Sequence, residues 1–163
     1  MSEAKVRVNL REVIADDLPQ FFSYLRDPGA ASMADIADDD PNDQPAFEGR
    51  WAKMLRDPQV TARTIELSEE KTVVGYVLGF PHEGQNQVSY WVDRGHWGRG
   101  IATAALSAFL AEVTHRPIYA RAPKHNQAAV VVLRRNGFNL IGDESGYIPE
   151  RGRVVDELVL VRN

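Results

Sequence analysis

The residues best placed to do chemistry lie in one run, Val92-Asp93-Arg94-Gly95-His96-Trp97-Gly98-Arg99-Gly100-Ile101-Ala102-Thr103, where a strand-like segment gives way to a glycine-bearing loop and then to helix formers. The first turn of a helix holds N–H groups with no intrahelical acceptor and the positive end of the helix dipole, and glycines let a ligand approach the backbone closely. Such a run suits a phosphate. Hydrogen bonds to a charged group contribute ~1.5–3 kcal/mol each, so several backbone donors could hold a diphosphate without a lysine, and Arg99 would add a cation. The run lacks the Gly-Lys-Ser/Thr ending of a P-loop, and Gly98-Arg99-Gly100 begins a dinucleotide fingerprint that Thr103 leaves incomplete. Taken alone, glycine before a helix also serves as a plain structural turn.

The surrounding pattern supplies elements to hold this loop. Val6, Val8 and Leu10 alternate with polar residues as a strand would, and Asp16-Asp17-Leu18-Pro19 reads as a helix start whose apolar face is Phe21, Phe22 and Leu25. Asp27-Pro28-Gly29 stops that helix, and a polar loop follows to about Pro45. A helix over 47–55 carries the stripe Trp51, Met54 and Leu55. Strands over 61–67, 72–80 and 87–92 with short connections predict an antiparallel meander. Beyond Gly100, Ala102, Leu106, Phe109, Leu110 and Val113 recur at helical spacing. A strand at 117–120, a helix over 126–136 with Asn126 as N-cap and Gly137 after its end, and strands at 138–141 and 154–161 complete the order. The expectation is an α+β (mixed α/β) fold, one domain over 1–163 with helices on the faces of a sheet.

Composition removes several functions. With no cysteine there is no disulfide, thiolate nucleophile or cysteine zinc site, and no metal is expected. No apolar run approaches the ~18–20 residues of a spanning helix, so a cytoplasmic protein without a membrane partner is expected. The net charge of −4 conceals an uneven distribution. Between Arg26 and Arg50 there are seven acids and no base, whereas from Arg94 to Arg135 there are seven basic residues and only Glu112 is acidic. A basic half in an acidic protein suits a polyanionic small molecule better than nucleic acid, although charges also cluster on plain solvated faces.

Two motifs carry a resemblance to the GNAT N-acetyltransferase superfamily, closest to its ribosomal-protein-type and small-molecule bacterial branch. Trp97-Gly98-Arg99-Gly100-Ile101-Ala102 resembles its pyrophosphate motif Gln/Arg-x-x-Gly-x-Gly/Ala, with Trp97 departing at the first place. Residues 126–138, from Asn126 to Gly137-Phe138, resemble its second motif, with Ala129 in place of the usual serine. The resemblance covers nearly the whole chain and implies a mostly antiparallel twisted sheet with a splayed parallel strand pair. Acetyl-CoA would lie between the strand ending at Val92 and that at 118–121. The amides of Gly98, Arg99, Gly100, Ile101, Ala102 and Thr103 would hold the diphosphate, and the main chain of Trp91 and Val92 would pair with pantetheine. Asn126 would touch the pantetheine arm, and Arg134 or Arg135 would meet the 3′-phosphate.

The implied reaction moves an acetyl group to a primary amine, on a small molecule or a peptide N-terminus, by direct attack in a ternary complex. Such transfer needs a neutral amine, stabilisation of an oxyanion and a proton for the thiolate. The family's glutamate base falls at Gln87 and its tyrosine acid at Leu133, so neither carries over. His125 and Tyr147 are the remaining catalytic candidates, with Glu83 on a hairpin behind them. Met33, Asp35, Trp51, Gln87 and Ser89 are expected on the acceptor side. Without a base a low-pKa amine is favoured, because at pH 7 an α-amine is ~10% neutral and a lysine only ~0.04%. The missing catalytic positions leave a non-catalytic acyl-CoA-binding domain as the alternative, and both monomer and homodimer stay open.

Overall fold

The computed structural model describes residues 6–26, 42–149 and 153–163. Met33, Asp35 and most of the acidic stretch therefore lie outside the described residues. One sheet has the order β1-β2-β3-β4-β5-β7-β6. Its strands are β1 (Val8–Glu12), β2 (Thr61–Leu67), β3 (Val73–His82), β4 (Gln85–Val92), β5 (Ile118–Pro123), β6 (Asn139–Ile148) and β7 (Arg153–Arg162). Its helices are α1 (Leu18–Tyr24), α2 (Gln44–Arg56), α3 (Ile101–Glu112) and α4 (Gln127–Arg135). All neighbouring strands run antiparallel except β4 and β5, which are parallel and share a single registered pair, Gln87 with Tyr119.

Alternation along the strands sets the layers, since successive side chains point to opposite faces. Val88 and Val92 of β4, with Ile118, Ala120 and Ala122 of β5, enter a core formed with Leu106, Phe109 and Leu110 of α3 and Val130 and Leu133 of α4. Trp91, one residue from Val92, enters a second core with Phe21, Phe22 and Tyr24 of α1 and Phe47 and Trp51 of α2. Helices α3 and α4 thus cover one face and α1 and α2 the other. Gly75 lets β3 pass the end of β4, because a Cβ there would lie 2.0 Å from the Trp91 carbonyl oxygen.

Two expectations change. The strand foreseen at 138–141 is ten residues long, because pairing with β7 from Asn139 to Ile148 overrides the strand-weakening Gly142 and Gly146. Trp51, expected on the acceptor side, is packed inside the core between α1, α2 and the sheet. It is only 4% exposed, with the rings of Phe21 and Tyr76 each 5.0 Å away and that of Phe47 at 6.1 Å, so its stripe serves packing.

A polar network joins α1 to the sheet edge. The Arg11 guanidinium donates to both oxygens of Asp17, at 2.8 and 2.9 Å, and through Nε to Glu66 at 3.0 Å. Asp17 also accepts from the Thr64 hydroxyl at 2.7 Å and the Ile14 N–H at 3.0 Å. Burial alone would raise the Asp17 pKa, but the donors from Arg11, Ile14 and Thr64 overcome it and hold the carboxyl below its usual range. The Asn9 amide, with Arg11, holds Glu66 low as well. Both groups are depressed on folding, so their stabilisation is complete above the unfolded carboxylate range, about pH 4, and is lost as pH falls through the lower folded values. Asp17→Asn should cost about 3 kcal/mol in urea denaturation at pH 7, and the gap from the native sequence should shrink as pH falls below about 4.

Candidate functional site

The single parallel pair is the start of the site. Beyond Gln87 and Tyr119 the two strands diverge, and a cavity of about 450 Å³ opens between them. Its walls are residues 88–92 of β4, Ala120, Arg121 and Pro123 of β5, the glycine loop, the first turn of α3, and one side of α4. Gly98 and Gly100 adopt φ of 77° and 76°, a conformation that glycine takes without strain, and a Cβ on either would meet nothing within 4 Å. The loop is therefore open on the side where a ligand would approach.

The termini of the two flanking helices differ. Asn126 caps α4 by accepting the Ala129 N–H at 3.1 Å, whereas Gly100 offers α3 no side-chain cap. The first intrahelical bond of α3 comes from Ala104 N–H to Gly100 oxygen at 3.0 Å. Ile101, Ala102 and Thr103, whose amides precede that bond, line the cavity, and an anion there could complete those donors. Asn136 ties the helices together, donating to the Thr103 oxygen at 3.3 Å and the Val132 oxygen at 3.0 Å from a buried position.

Trp97, the departure from the pyrophosphate motif, has a structural role that the spacing did not reveal. Its indole N–H donates to the Val92 oxygen at 2.7 Å, and the Arg94 guanidinium lies 5.9 Å from the ring centroid. The His96 Nδ1 lies 3.0 Å from Asp93 Oδ2 in the same turn. The glycine loop is thus held to the end of β4 by side chains, and one Val92 carbonyl lone pair that pantetheine was expected to meet is already engaged.

The basic run proves to be divided between jobs. Arg116 closes the C-terminal end of α3, donating to the oxygens of Val113 at 2.9 Å and Leu110 at 3.1 Å. Arg121 pairs with Glu144 at 2.6 Å, and Lys124 with Asp143 at 2.7 Å and Asp156 at 3.1 Å. Arg135 lines the cavity, while Arg99 and Arg134 are exposed outside its lining. Of the basic run, Arg116, Arg121 and Lys124 are thus engaged within the fold, while Arg94 and Arg99 sit at the glycine loop and Arg134 and Arg135 at the end of α4.

Of the other site residues foreseen, Ser89, Trp91, Val92 and Asn126 line the cavity with Gly98, Gly100, Ile101, Ala102 and Thr103. Gln87 does not. It is buried at the closed end of the splay beside a separate cavity of about 300 Å³, its amide 3.4 Å from Gln85 Oε1. His125 is exposed and outside the cavity lining, and Tyr147 is 62% exposed on the β6–β7 hairpin, so the structure brings neither catalytic candidate to the cavity. Glu83 occupies an exposed turn.

Tyr90, His96 and Arg121 are among the lining residues that were not foreseen as site residues. The signal for Tyr90 was its alternation with Trp91, which sends it to the opposite face. The Tyr90 hydroxyl and the Trp91 indole N–H are both buried without a hydrogen-bond partner. An unpaired buried group of this kind costs about 1–3 kcal/mol. Burial also pushes the Tyr90 phenol up, so it stays protonated. Trp97→Phe should leave the fold intact and weaken CoA binding about 2- to 10-fold by calorimetric titration, since it releases the glycine loop from Val92. Unchanged affinity would show that the indole bond does not support the loop.

Curated proteins give no significant match by sequence. By structure, the chain is similar to the spermidine N-acetyltransferase of Vibrio cholerae in complex with CoA and spermine, with a TM-score of 0.79, 18% identity and 94% of each chain covered. It is similar to the phosphinothricin acetyltransferase of Sinorhizobium meliloti in complex with AcCoA, with a TM-score of 0.77, 19% identity, and 95% of this chain and 87% of that one covered. The ribosomal L7/L12 α-N-protein acetyltransferase RimL in complex with coenzyme A gives a TM-score of 0.76 at 19% identity, covering 95% of this chain and 93% of that one. The model of the acetyltransferase (GNAT) domain matches residues 7–139, and with the splayed strand pair in its place, the chain belongs to the GNAT acetyltransferase family.

Proposed function

We propose that this protein transfers the acetyl group of acetyl-CoA to a primary amine of a small cationic molecule or a peptide N-terminus, by direct attack in a ternary complex. The observation that carries this reading is the cavity between β4 and β5, closed at one end by the Gln87–Tyr119 pair and bounded at the other by the uncapped first turn of α3. The diphosphate would sit on the amides of Ile101, Ala102 and Thr103, with the 3′-phosphate toward Arg135. The pantetheine arm would run between the strands, using backbone groups that their divergence leaves unpaired.

The acceptor would approach from the α1 and α2 face. Ser89 and Trp91 project there from β4, and the register of β5, β7 and β6 puts Arg121, Glu157 and Glu144 on the same face. Glu157 is buried, at 3% exposure, and Glu144 is paired with Arg121. The carboxylates of Glu144 and Glu157 are what that face would offer a cationic amine. The relatives named above carry spermine or act on a protein α-amine by their own descriptions, which agrees with an amine acceptor.

Since Gln87 cannot take a proton, the rate would come from holding thioester and amine together, an effect worth up to about 7–11 kcal/mol in well-oriented systems. The test is thiol release from acetyl-CoA across a panel of polyamines, dipeptide α-amines and lysine side-chain amines. Turnover is expected for at least one low-pKa amine, with kcat/KM rising about tenfold per pH unit below the pKa of that amine. Tight CoA binding with no turnover for any amine would overturn the reading in favour of an acyl-CoA-binding domain.

A further inference from the structure

We propose that Arg121 selects the acceptor, a role that rests on the acetyl-transfer reading above. Its guanidinium would bind a carbonyl or carboxylate on the amine-bearing carbon, so the substrate is the α-amine of a peptide or an amino acid rather than a polyamine. Arg121 lies two residues beyond Tyr119 on β5 and Ser89 two beyond Gln87 on β4, so they stand level across the gap just past its closed end. The side chains of Ala120 and Ala122 enter the core with α3 and α4, which sends Arg121 to the other face, where the amine would approach. Ser89 and Arg121 both border the cavity, and the Arg121 side chain keeps 17% of its surface exposed. The glycine loop begins beyond Val92, three residues and about 10 Å further along β4 than Ser89, so the CoA diphosphate would lie at the far end of the cavity.

The guanidinium is only partly used by the fold. It carries five N–H donors in a rigid fork, and among the described residues its one side-chain contact is from Nη1 to Glu144 Oε2 at 2.6 Å. Nε has no partner, and Nη2 makes no hydrogen bond among the described residues. A lysine would serve the Glu144 contact as a point charge, whereas the planar edge formed by Nε and Nη2 matches the two lone-pair directions of a carboxylate or a carbonyl. Glu144 holds the fork by its other end and so fixes the plane of the unused edge.

The two acceptor classes make opposite demands on such a group. A polyamine offers donors alone and brings positive charge toward the guanidinium, and nothing in it can accept from Nε or Nη2. An α-amine next to a carbonyl offers an oxygen to that edge while its nitrogen stays free to attack the thioester. Fixing the oxygen orients the nitrogen, which is how a binding contact contributes to rate where no base is in place.

The test compares glycinamide with propargylamine, small amines of similar basicity of which only the first carries a carbonyl, on the full chain with acetyl-CoA. In the wild type kcat/KM should favour glycinamide by about 10- to 100-fold, with spermidine poorer still. In Arg121→Gln that ratio should fall to near 1, and in Arg121→Lys, which keeps the charge without the fork, it should lie between, while CoA affinity by calorimetric titration stays within about twofold. A merely structural Arg121 would lower both amines together and leave the ratio as in the wild type, which overturns the assignment, as does a wild type that prefers spermidine. A carboxylate could also arrive on the acyl group, so succinyl-CoA is the second arm: a wild-type preference for it over acetyl-CoA that R121Q abolishes would move Arg121 to the donor and overturn its role in choosing the acceptor. Each of these results leaves acyl transfer standing, whereas a wild type that turns over no amine overturns both.

Discussion

The structure depends on one unfinished sheet contact. Antiparallel pairing satisfies the backbone on both sides of β2, β3 and β7, but β4 and β5 meet at one registered pair and then separate. From that point each strand turns a row of N–H and C=O groups toward the other across a gap it cannot bridge. Buried backbone groups seek partners, so the gap either collapses, fills with water or receives an extended polar ligand. Several features keep it from collapsing. Trp97 engages the Val92 oxygen, Asp93 N–H donates to Val74 oxygen at 2.7 Å, and Asn136 fixes the first turn of α3 against α4.

The electrostatics follow the same division. Arg121 and Lys124 are matched by acids of β6 and β7, and Arg116 closes a helix end. The cavity end of α3 keeps its dipole and its amides uncompensated by any cap. A helix terminus in that condition attracts an anion through preorganised donors, whose position is set by the strand, loop and helix rather than by flexible lysine side chains.

The order of elements was legible in the sequence because periodicity is local: β2 was foreseen at its observed bounds, 61–67, and α4 nearly at its own. The glycine loop was legible for the same reason, since positive φ at Gly98 and Gly100 and the missing cap on α3 are properties of adjacent residues. What stayed hidden depends on distant partners. Nothing near Arg121 or Lys124 announces the acids at 143, 144 and 156, so a cross-strand set of ion pairs read as a free basic run. The burial of Trp51 was hidden for the same reason, because a helical stripe does not say what covers it. The Tyr90 hydroxyl could be recognised as orphaned only once every neighbour was in place.

Adjacent positions on β4 show why binding the acyl donor and choosing the acceptor can vary separately. A strand sends Tyr90 to the α3 and α4 face and Trp91 to the α1 and α2 face, so one peptide bond separates the two halves of the site. On the first face the ligand would be held largely by backbone groups, which persist through most substitutions. That is why Trp97 and Ala129 can replace motif residues without dismantling the loop, and why the fold is shared with proteins of little sequence identity. On the second face, in the proposed reaction, recognition would fall to side chains that the register brings together, Ser89, Trp91, Arg121, Glu144 and Glu157. In the proposed reaction the backbone-built half would therefore set the reaction class, and the side-chain half would carry the identity of the amine.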